Sequence, residues 1–139
     1  MLQESGNRWW EAVLQISLGD VHRARGRVGE AVTCIERSLS IFRESNDTRW
    51  QAIAEWALAA VHVDERHWNE AAACVDRCLP AFRQIGDRYW QAKTLTILGA
   101  IRYTNGDVAA ARAVWQEALD LFRQLHAWQA ENVAALLAS

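Results

Sequence analysis

The densest group of side chains that could bind a metal ion runs from His62 to His67, with Asp64 and Glu65 between them. A helix turns by about 100° per residue, so side chains five positions apart point about 140° away from each other. Zinc sites on a single helix instead use histidines four positions apart, which share one face. We therefore interpret the group as the polar end of a helix and expect no metal site.

The three cysteines form neither a redox motif nor a complete ligand set. Cys74 and Cys78 share one helix face, but no histidine or acid completes a set of four ligands. Cys34 lies forty residues before Cys74, so both are expected to fill the same small packing site. An odd number of cysteines without a CxxC pair indicates a reducing compartment, and we expect a cytoplasmic location.

Arrangements that could support catalysis are incomplete. Ser17, Asp20 and His22 would have to crowd one helix to act as a catalytic trio. The glycines within 26–29 lack the lysine and the spacing of a phosphate-binding loop. The sequence therefore predicts a protein that is not an enzyme and has no cofactor.

Composition predicts a soluble helical domain over residues 1–139. The chain has a net charge of −2, a single proline and seven glycines. Nucleic-acid-binding surfaces usually show a basic excess, and a membrane-spanning helix needs about twenty apolar residues in a row. Neither feature is present, so we expect neither a nucleic acid nor a membrane as partner.

A forty-residue repeat organises the chain. Identical residues recur at this spacing, namely Trp10, Trp50 and Trp90, then Ala31, Ala71 and Ala111, then Phe42, Phe82 and Phe122, each Phe followed by arginine. Each unit contains two stretches with apolar residues at three- and four-residue steps, as in amphipathic helices. The pattern predicts helices over residues 8–25, 28–44, 48–65, 68–84, 88–104, 108–124 and 127–138.

Short breaks separate these predicted helices. Gly106 suits the left-handed position after a helix, and Asp107 can cap the next one. Asn46–Asp47 and Gly86–Asp87 offer the same stop and cap between units. Pro80 lies inside a predicted helix and removes a backbone donor, so we expect it to kink the fourth helix or to end it early.

The framework positions resemble the tetratricopeptide repeat motif, which has Leu-Gly, a large residue three positions later, an alanine in the second helix and a large apolar residue four positions after it. The matching residues are Leu18-Gly19, His22, Ala31 and Ile35; Leu58-Ala59, His62, Ala71 and Val75; and Leu98-Gly99, Arg102, Ala111 and Trp115. The small residue permits close crossing of the paired helices. The unit is longer than the usual 34 or so residues, the proline after the second helix is absent, and Ala59 replaces the usual glycine.

The resemblance implies an all-α fold, an α–α solenoid wound into a right-handed superhelix. Three helical hairpins would span about 8–45, 48–85 and 88–125, followed by a capping helix over 127–138. The long unit and the linker within 82–88 resemble repeats of large bacterial LuxR-type or antibiotic-regulator transcription factors and signalling ATPases. Because the chain begins and ends without strongly polar capping helices, and Leu136-Leu137 lie in the last turn, we expect it to be excised from a larger protein.

In that family the first helix of each hairpin lines the concave side of the solenoid. Helical spacing from the small residue selects the positions that face the groove, and these vary between units while the framework does not. The predicted groove residues are Trp9, Val13, Ile16, Asp20 and Arg23; Arg49, Ile53, Trp56, Ala60 and Val63; and Tyr89, Lys93, Thr96, Ala100 and Tyr103. Aromatic residues with arginine are typical of binding hot spots. Trp9 or Trp56 could instead pack against a neighbouring helix.

The sequence thus predicts a non-catalytic protein–protein interaction module that binds a protein or peptide through the groove, as the sensor or partner-binding part of a larger bacterial regulator. The alternative is a domain that changes shape on binding a small effector or peptide. Self-association is also expected, because the ends lack polar caps and expose Trp9, Trp10, Trp128, Leu136 and Leu137. In the alternative interpretation, the terminal helix caps the third hairpin and only the N-terminal end stays open.

Overall fold

The computed structural model describes residues 2–139, with side chains described from residue 6 onward, and this range contains seven helices and no strand. The helices are α1 (Leu2–Ala24), α2 (Val28–Glu44), α3 (Thr48–Asp64), α4 (Trp68–Ile85), α5 (Arg88–Thr104), α6 (Val108–Gln124) and α7 (Gln129–Ala138). Each helix packs against the next, and α1 with α3 and α3 with α5 are also in contact. The predicted all-α solenoid of three hairpins and a terminal helix is confirmed. No helix among the described residues has the length and hydropathy needed to cross a bilayer.

Two helix starts differ from the prediction. α1 begins at Leu2 rather than at residue 8, and the Gly6-Asn7 pair, which lies forty residues before Asn46-Asp47, does not interrupt it. α7 begins at Gln129 rather than at 127, and its N-cap position is occupied by Trp128. Tryptophan has no side-chain oxygen that could accept a hydrogen bond from the first turn.

Pro80 does not end α4 early, which corrects one of the two expected effects of this residue. The helix continues to Ile85 and closes at Gly86. Pro80 lies on the exposed side of the helix, as does Asp76, the residue whose carbonyl would have accepted the missing hydrogen bond. Water can therefore hydrate that carbonyl oxygen, which reduces the cost of the proline.

Left-handed residues end the first six helices at intervals of twenty positions. They are Gly26, Asn46, Arg66, Gly86, Gly106 and His126. After each of them, the next backbone N–H donates to a carbonyl five residues back, as Asp87 does to Phe82 at 3.0 Å. The predicted aspartate caps are confirmed: the side chains of Asp47 and Asp87 each accept from a backbone N–H three residues later at 3.2 Å, and Asp107 does so at 3.0 Å.

Aromatic pairs join successive hairpins. The buried ring of Phe42 stacks on Trp50 at 5.7 Å, and Phe82 stacks on Trp90 at 5.8 Å. All three cysteines are free and buried, with Cys34 and Cys74 at equivalent positions of α2 and α4. This agrees with the packing role predicted for Cys34 and Cys74.

A buried carboxylate lies between the first two hairpins. The side chain of Glu55 is 5% exposed and pairs with Arg43 at 3.2 Å and with Arg77 at 3.1 Å. Both arginines are about half exposed, so their outer nitrogens remain hydrated while Glu55 is satisfied inside. The sequence pattern did not single out this residue.

Candidate functional site

Lys93, the chain's single lysine, lies among aromatic rings on α3 and α5. Its Nζ is 4.3 Å from the centroid of Trp56 and 4.3 Å from that of Trp90. Tyr89 adds a third ring at 5.5 Å. The negative ring faces stabilise the ammonium group, which keeps a charge on an otherwise apolar surface. We refer to Lys93 with Trp56, Trp90 and Tyr89 as the lysine cage.

Charges on α1 act on this cage. Burial lowers the pKa of Lys93, while the nearby carboxylate of Asp20 raises it. Conversely, loss of hydration raises the pKa of Asp20, and the positive charges of Arg23 and Lys93 lower it. The first helices of all three hairpins therefore contribute to one electrostatic environment on the same side of the solenoid.

A pocket of about 160 Å³ adjoins the lysine cage between α3, α5 and α7. Its wall is mostly apolar, with few polar atoms reaching the surface. The lining residues are Trp56, Lys93, Thr96, Ile97, Phe122, Gln129, Asn132 and Val133. We refer to this cavity as the α3–α5–α7 pocket. Three of the predicted groove residues, Trp56, Lys93 and Thr96, meet here.

Two buried polar atoms that belong to residues lining this pocket have no hydrogen-bond partner among the residues that the structure describes. One is the donor Nε1 of Trp56 and the other is the acceptor Oε1 of Gln129. The opposite end of the Gln129 amide is engaged, since its Nε2 donates to the Tyr89 hydroxyl at 2.6 Å. Unpaired buried polar groups cost free energy, so a ligand that supplies one acceptor and one donor would be favoured.

The repeat family is decided by a comparison with family models. The model described as "Tetratricopeptide repeat" matches residues 10–84, more than half of the chain. The chain belongs to the tetratricopeptide repeat family. Its stacked helical hairpins therefore form an interaction scaffold of the kind this family provides for proteins and peptides. A search among curated proteins finds no match.

Solved structures share the solenoid at low sequence identity. A Rap protein complexed with competence and sporulation factor is 19% identical with a TM-score of 0.86, over 93% of this chain and 36% of that one. BtubC from P. vanneervenii is 21% identical with a TM-score of 0.77, and the match covers 91% of this chain and 53% of BtubC. The N-terminal domain of stress-induced protein-1 from C. elegans is 15% identical with a TM-score of 0.68, and the match covers 95% of this chain and 98% of that domain. At these identities the likeness shows the fold, and this chain spans about a third of the Rap protein.

Within this tetratricopeptide repeat fold, the first predicted groove position of each hairpin links it to the next. Trp9 Nε1 donates to the Asp47 carboxylate at 2.9 Å, and Arg49 Nε donates to Asp87 at 2.9 Å. These aspartates cap α3 and α5. The third equivalent, Tyr89, meets no such aspartate, because residue 127 is alanine, and it bonds Gln129 instead.

The other predicted groove residues fall into three environments. Ile16, Ile53 and Ala60 are buried at 7%, 3% and 2% exposure, so they pack between helices. Arg23 pairs with Asp64 at 2.6 Å across the first two hairpins. Val13, Val63 and Ala100 are half-buried, and Tyr103 is 56% exposed while stacking on Trp115.

Helical spacing alone missed five of the eight residues that line the pocket. Ile97 was not assigned to the groove, Phe122 was identified only as a repeated residue, and Gln129, Asn132 and Val133 belong to the terminal half-unit. The restart of the repeat at Trp128-Gln129-Ala130 was the available signal, because it places α7 where a fourth first helix would lie. A groove formed by successive first helices then necessarily includes α7.

His62 and His67 lie close together at the α3–α4 turn. Their ring centroids are 6.0 Å apart. Burial lowers the pKa of His62, the carboxylates of Glu70 and Glu36 raise it, and His67 lowers it. No group of three metal-binding side chains comes together within the described part of the chain.

Proposed function

We propose that the chain is a non-catalytic module that binds an extended peptide segment of a partner protein in the α3–α5–α7 pocket. The observation that carries this proposal is the pairing of an apolar cavity with one unpartnered donor, Trp56 Nε1, and one unpartnered acceptor, Gln129 Oε1. A peptide backbone carries one acceptor and one donor per residue, so it offers both of the groups that these two atoms lack.

The size of the cavity supports one anchoring side chain. A dry protein cavity of about 150 Å³ accommodates a benzene ring, and this pocket measures about 160 Å³. The proposed ligand therefore places one apolar or aromatic side chain in the pocket. Its backbone lies along the first helices, next to the charges of Lys93 and Asp20.

A small effector is the second candidate, favoured by the same modest cavity volume. In that case the domain would act as a sensor whose helices shift on binding. The Rap protein complexed with competence and sporulation factor supports a ligand-binding role for a solenoid of this shape. The proposed context is a larger bacterial regulator in the cytoplasm, supported by the linker resemblance and by three free thiols.

A pocket-filling variant tests the binding site. Asn132 lines the pocket from α7, and Asn132→Trp places a large ring in it. Glu131→Trp adds the same side chain to an exposed neighbouring position of α7 and is the matched control. Peptides selected from a random array are titrated against all three proteins by calorimetry.

We expect Asn132→Trp to weaken the selected peptides at least tenfold and Glu131→Trp to leave their affinity unchanged. Equal binding by both variants would place the peptide elsewhere. Selection of small molecules but of no peptide would favour the effector-sensing alternative.

Self-association through Trp9, Trp10, Trp128, Leu136 and Leu137 stays a separate prediction, which light scattering over a concentration series tests.

A further inference from the structure

The outer face of α1 carries an exposed apolar stripe, which consists of Trp10, Leu14, Leu18 and Val21. These side chains are 61%, 64%, 43% and 45% exposed. Their spacing of four, four and three residues places them on one side of the helix. Gly19, which contacts Ile35 of α2, lies on a different side, so the stripe is not the face that packs within the first hairpin.

The corresponding stripe of α3 is covered. Trp50 stacks on Phe42 of the preceding hairpin at 5.7 Å. Ala54, Leu58 and Val61, which continue the stripe, are 0%, 8% and 1% exposed. The face that is open on α1 is therefore equivalent to the face of α3 that forms the interface with the preceding hairpin.

The stripe of α5 repeats this arrangement. Trp90 stacks on Phe82 of α4 at 5.8 Å, and Thr94 and Ile101 are 0% and 3% exposed. In both cases the covering element is the second helix of the preceding hairpin, and it presents a phenylalanine to the tryptophan. Position 14 is leucine where α3 has alanine and α5 has threonine, so the open stripe is at least as apolar as the covered ones.

We propose that the stripe on α1 binds an amphipathic partner helix that presents a phenylalanine to Trp10, as α2 presents Phe42 to Trp50. The site is an uninterrupted continuation of the two interfaces between hairpins. Trp10 also packs edge-to-face with Trp9, with 5.0 Å between the ring centroids. Trp9 is fixed in turn, because its Nε1 donates to the Asp47 carboxylate. A preformed aromatic surface lowers the ordering cost of binding.

A second copy of the folded chain does not supply this helix. Among the described residues, α2 packs between α1 and α3, α4 between α3 and α5, and α6 between α5 and α7. Each helix of the required type is therefore already covered on both sides. The occupant is a helix of the α2 type that comes from elsewhere, and this proposal is independent of the α3–α5–α7 pocket.

The probe is a synthetic peptide of residues 28–46 carrying Cys34→Ala, which contains no tryptophan, so the protein's own tryptophan fluorescence reports binding. We expect saturable binding that weakens at least tenfold when the peptide also carries Phe42→Ser or the protein carries Trp10→Ser. Trp128→Ser changes a tryptophan that is 73% exposed at the opposite end and is the matched control. Equal affinity of the Trp10→Ser and Trp128→Ser proteins would overturn the proposal.

A covalent version avoids the cost of ordering an isolated helix, which is marginally stable in water. In it, a duplicate of residues 47–86 precedes residue 7, which keeps the forty-residue register. Trp10→Ser should lower the Tm of this extended chain by at least about 5 °C and that of the original chain far less. Equal shifts in both chains would refute the proposal. A dimer of the original chain that Trp10→Ser dissociates would also refute it, because the stripe would then be covered by a second copy, as the competing prediction of self-association expects.

Discussion

Replacing Gly99 by alanine tests the close crossing of α5 and α6. A methyl group at this position would overlap the indole ring of Trp115. The ring is held on two sides, because its Nε1 donates to the Thr96 carbonyl oxygen at 3.1 Å and its face stacks on Tyr103 at 5.9 Å. The overlap therefore cannot be relieved by a simple side-chain rotation.

The other hairpins show how the same crossing accommodates different residue sizes. In the first, a methyl group on Gly19 would lie 2.9 Å from Cγ1 of Ile35. In the second, Ala59 and Val75 occupy the two positions and are 0% and 1% exposed. A larger residue at the small position thus accompanies a smaller one on the facing helix.

The expected magnitudes follow from this pairing. Overpacking by Gly99→Ala costs about 3 kcal/mol, and the higher helix propensity of alanine returns about 1 kcal/mol, so the net loss is about 2 kcal/mol. Trp115→Val leaves a cavity and costs about 3 kcal/mol. The double variant reproduces the Ala59–Val75 pair and has no overpacking, so the propensity gain of about 1 kcal/mol remains and we expect a loss of about 2 kcal/mol rather than the additive value of about 5 kcal/mol.

Urea denaturation followed by circular dichroism measures the free energy of unfolding of the four proteins in this cycle. Gly29→Ala is the control, because a methyl group there meets no atom within 4 Å. It should leave stability unchanged or raise it slightly. If the losses of Gly99→Ala and Trp115→Val simply add, the matched-size explanation of the crossing is wrong.

Three further perturbations test other parts of the fold. Arg66 has a left-handed φ of 59°, so Arg66→Gly should raise the free energy of unfolding by about 1 kcal/mol, and Gly86→Ala should lower it by a similar amount. A lower value for Arg66→Gly, or a higher one for Gly86→Ala, in urea denaturation would refute this explanation. Glu55→Gln should cost about 2 kcal/mol because two arginines lose a buried charged partner, and an unchanged urea midpoint would contradict it. Burial raises the pKa of Cys74 to about 11 and that of Cys78 to about 12, so neither thiol should react with a disulfide reagent at about pH 8 before denaturation. Since unfolded thiols ionise from about pH 8.5 and the native ones do not, the unfolded state binds fewer protons and stability should fall above about pH 9; replacing both cysteines by alanine should flatten that fall.

Local chemistry in the sequence determined the helices and their ends. Asp87 was expected to cap a helix, and its carboxylate accepts from the Trp90 backbone N–H. Such caps, the left-handed glycines and the apolar stripes act within a few residues, so spacing alone reveals them. The pairing of Phe82 with Trp90 was not predicted, although the strict repeat explains why Phe42 and Trp50 pair in the same way.

Contacts between hairpins decided the rest. Trp9 and Arg49 were expected in the groove, yet their donors are used by the capping aspartates of the next hairpin. Ile53 is buried because α3 has neighbours on both sides, whereas the stripe that begins at Trp10 is exposed because α1 has none on its outer face. Helical spacing gives the direction of a side chain but not what lies there. That depends on the packing of helices forty residues apart, and only the tertiary structure fixes it.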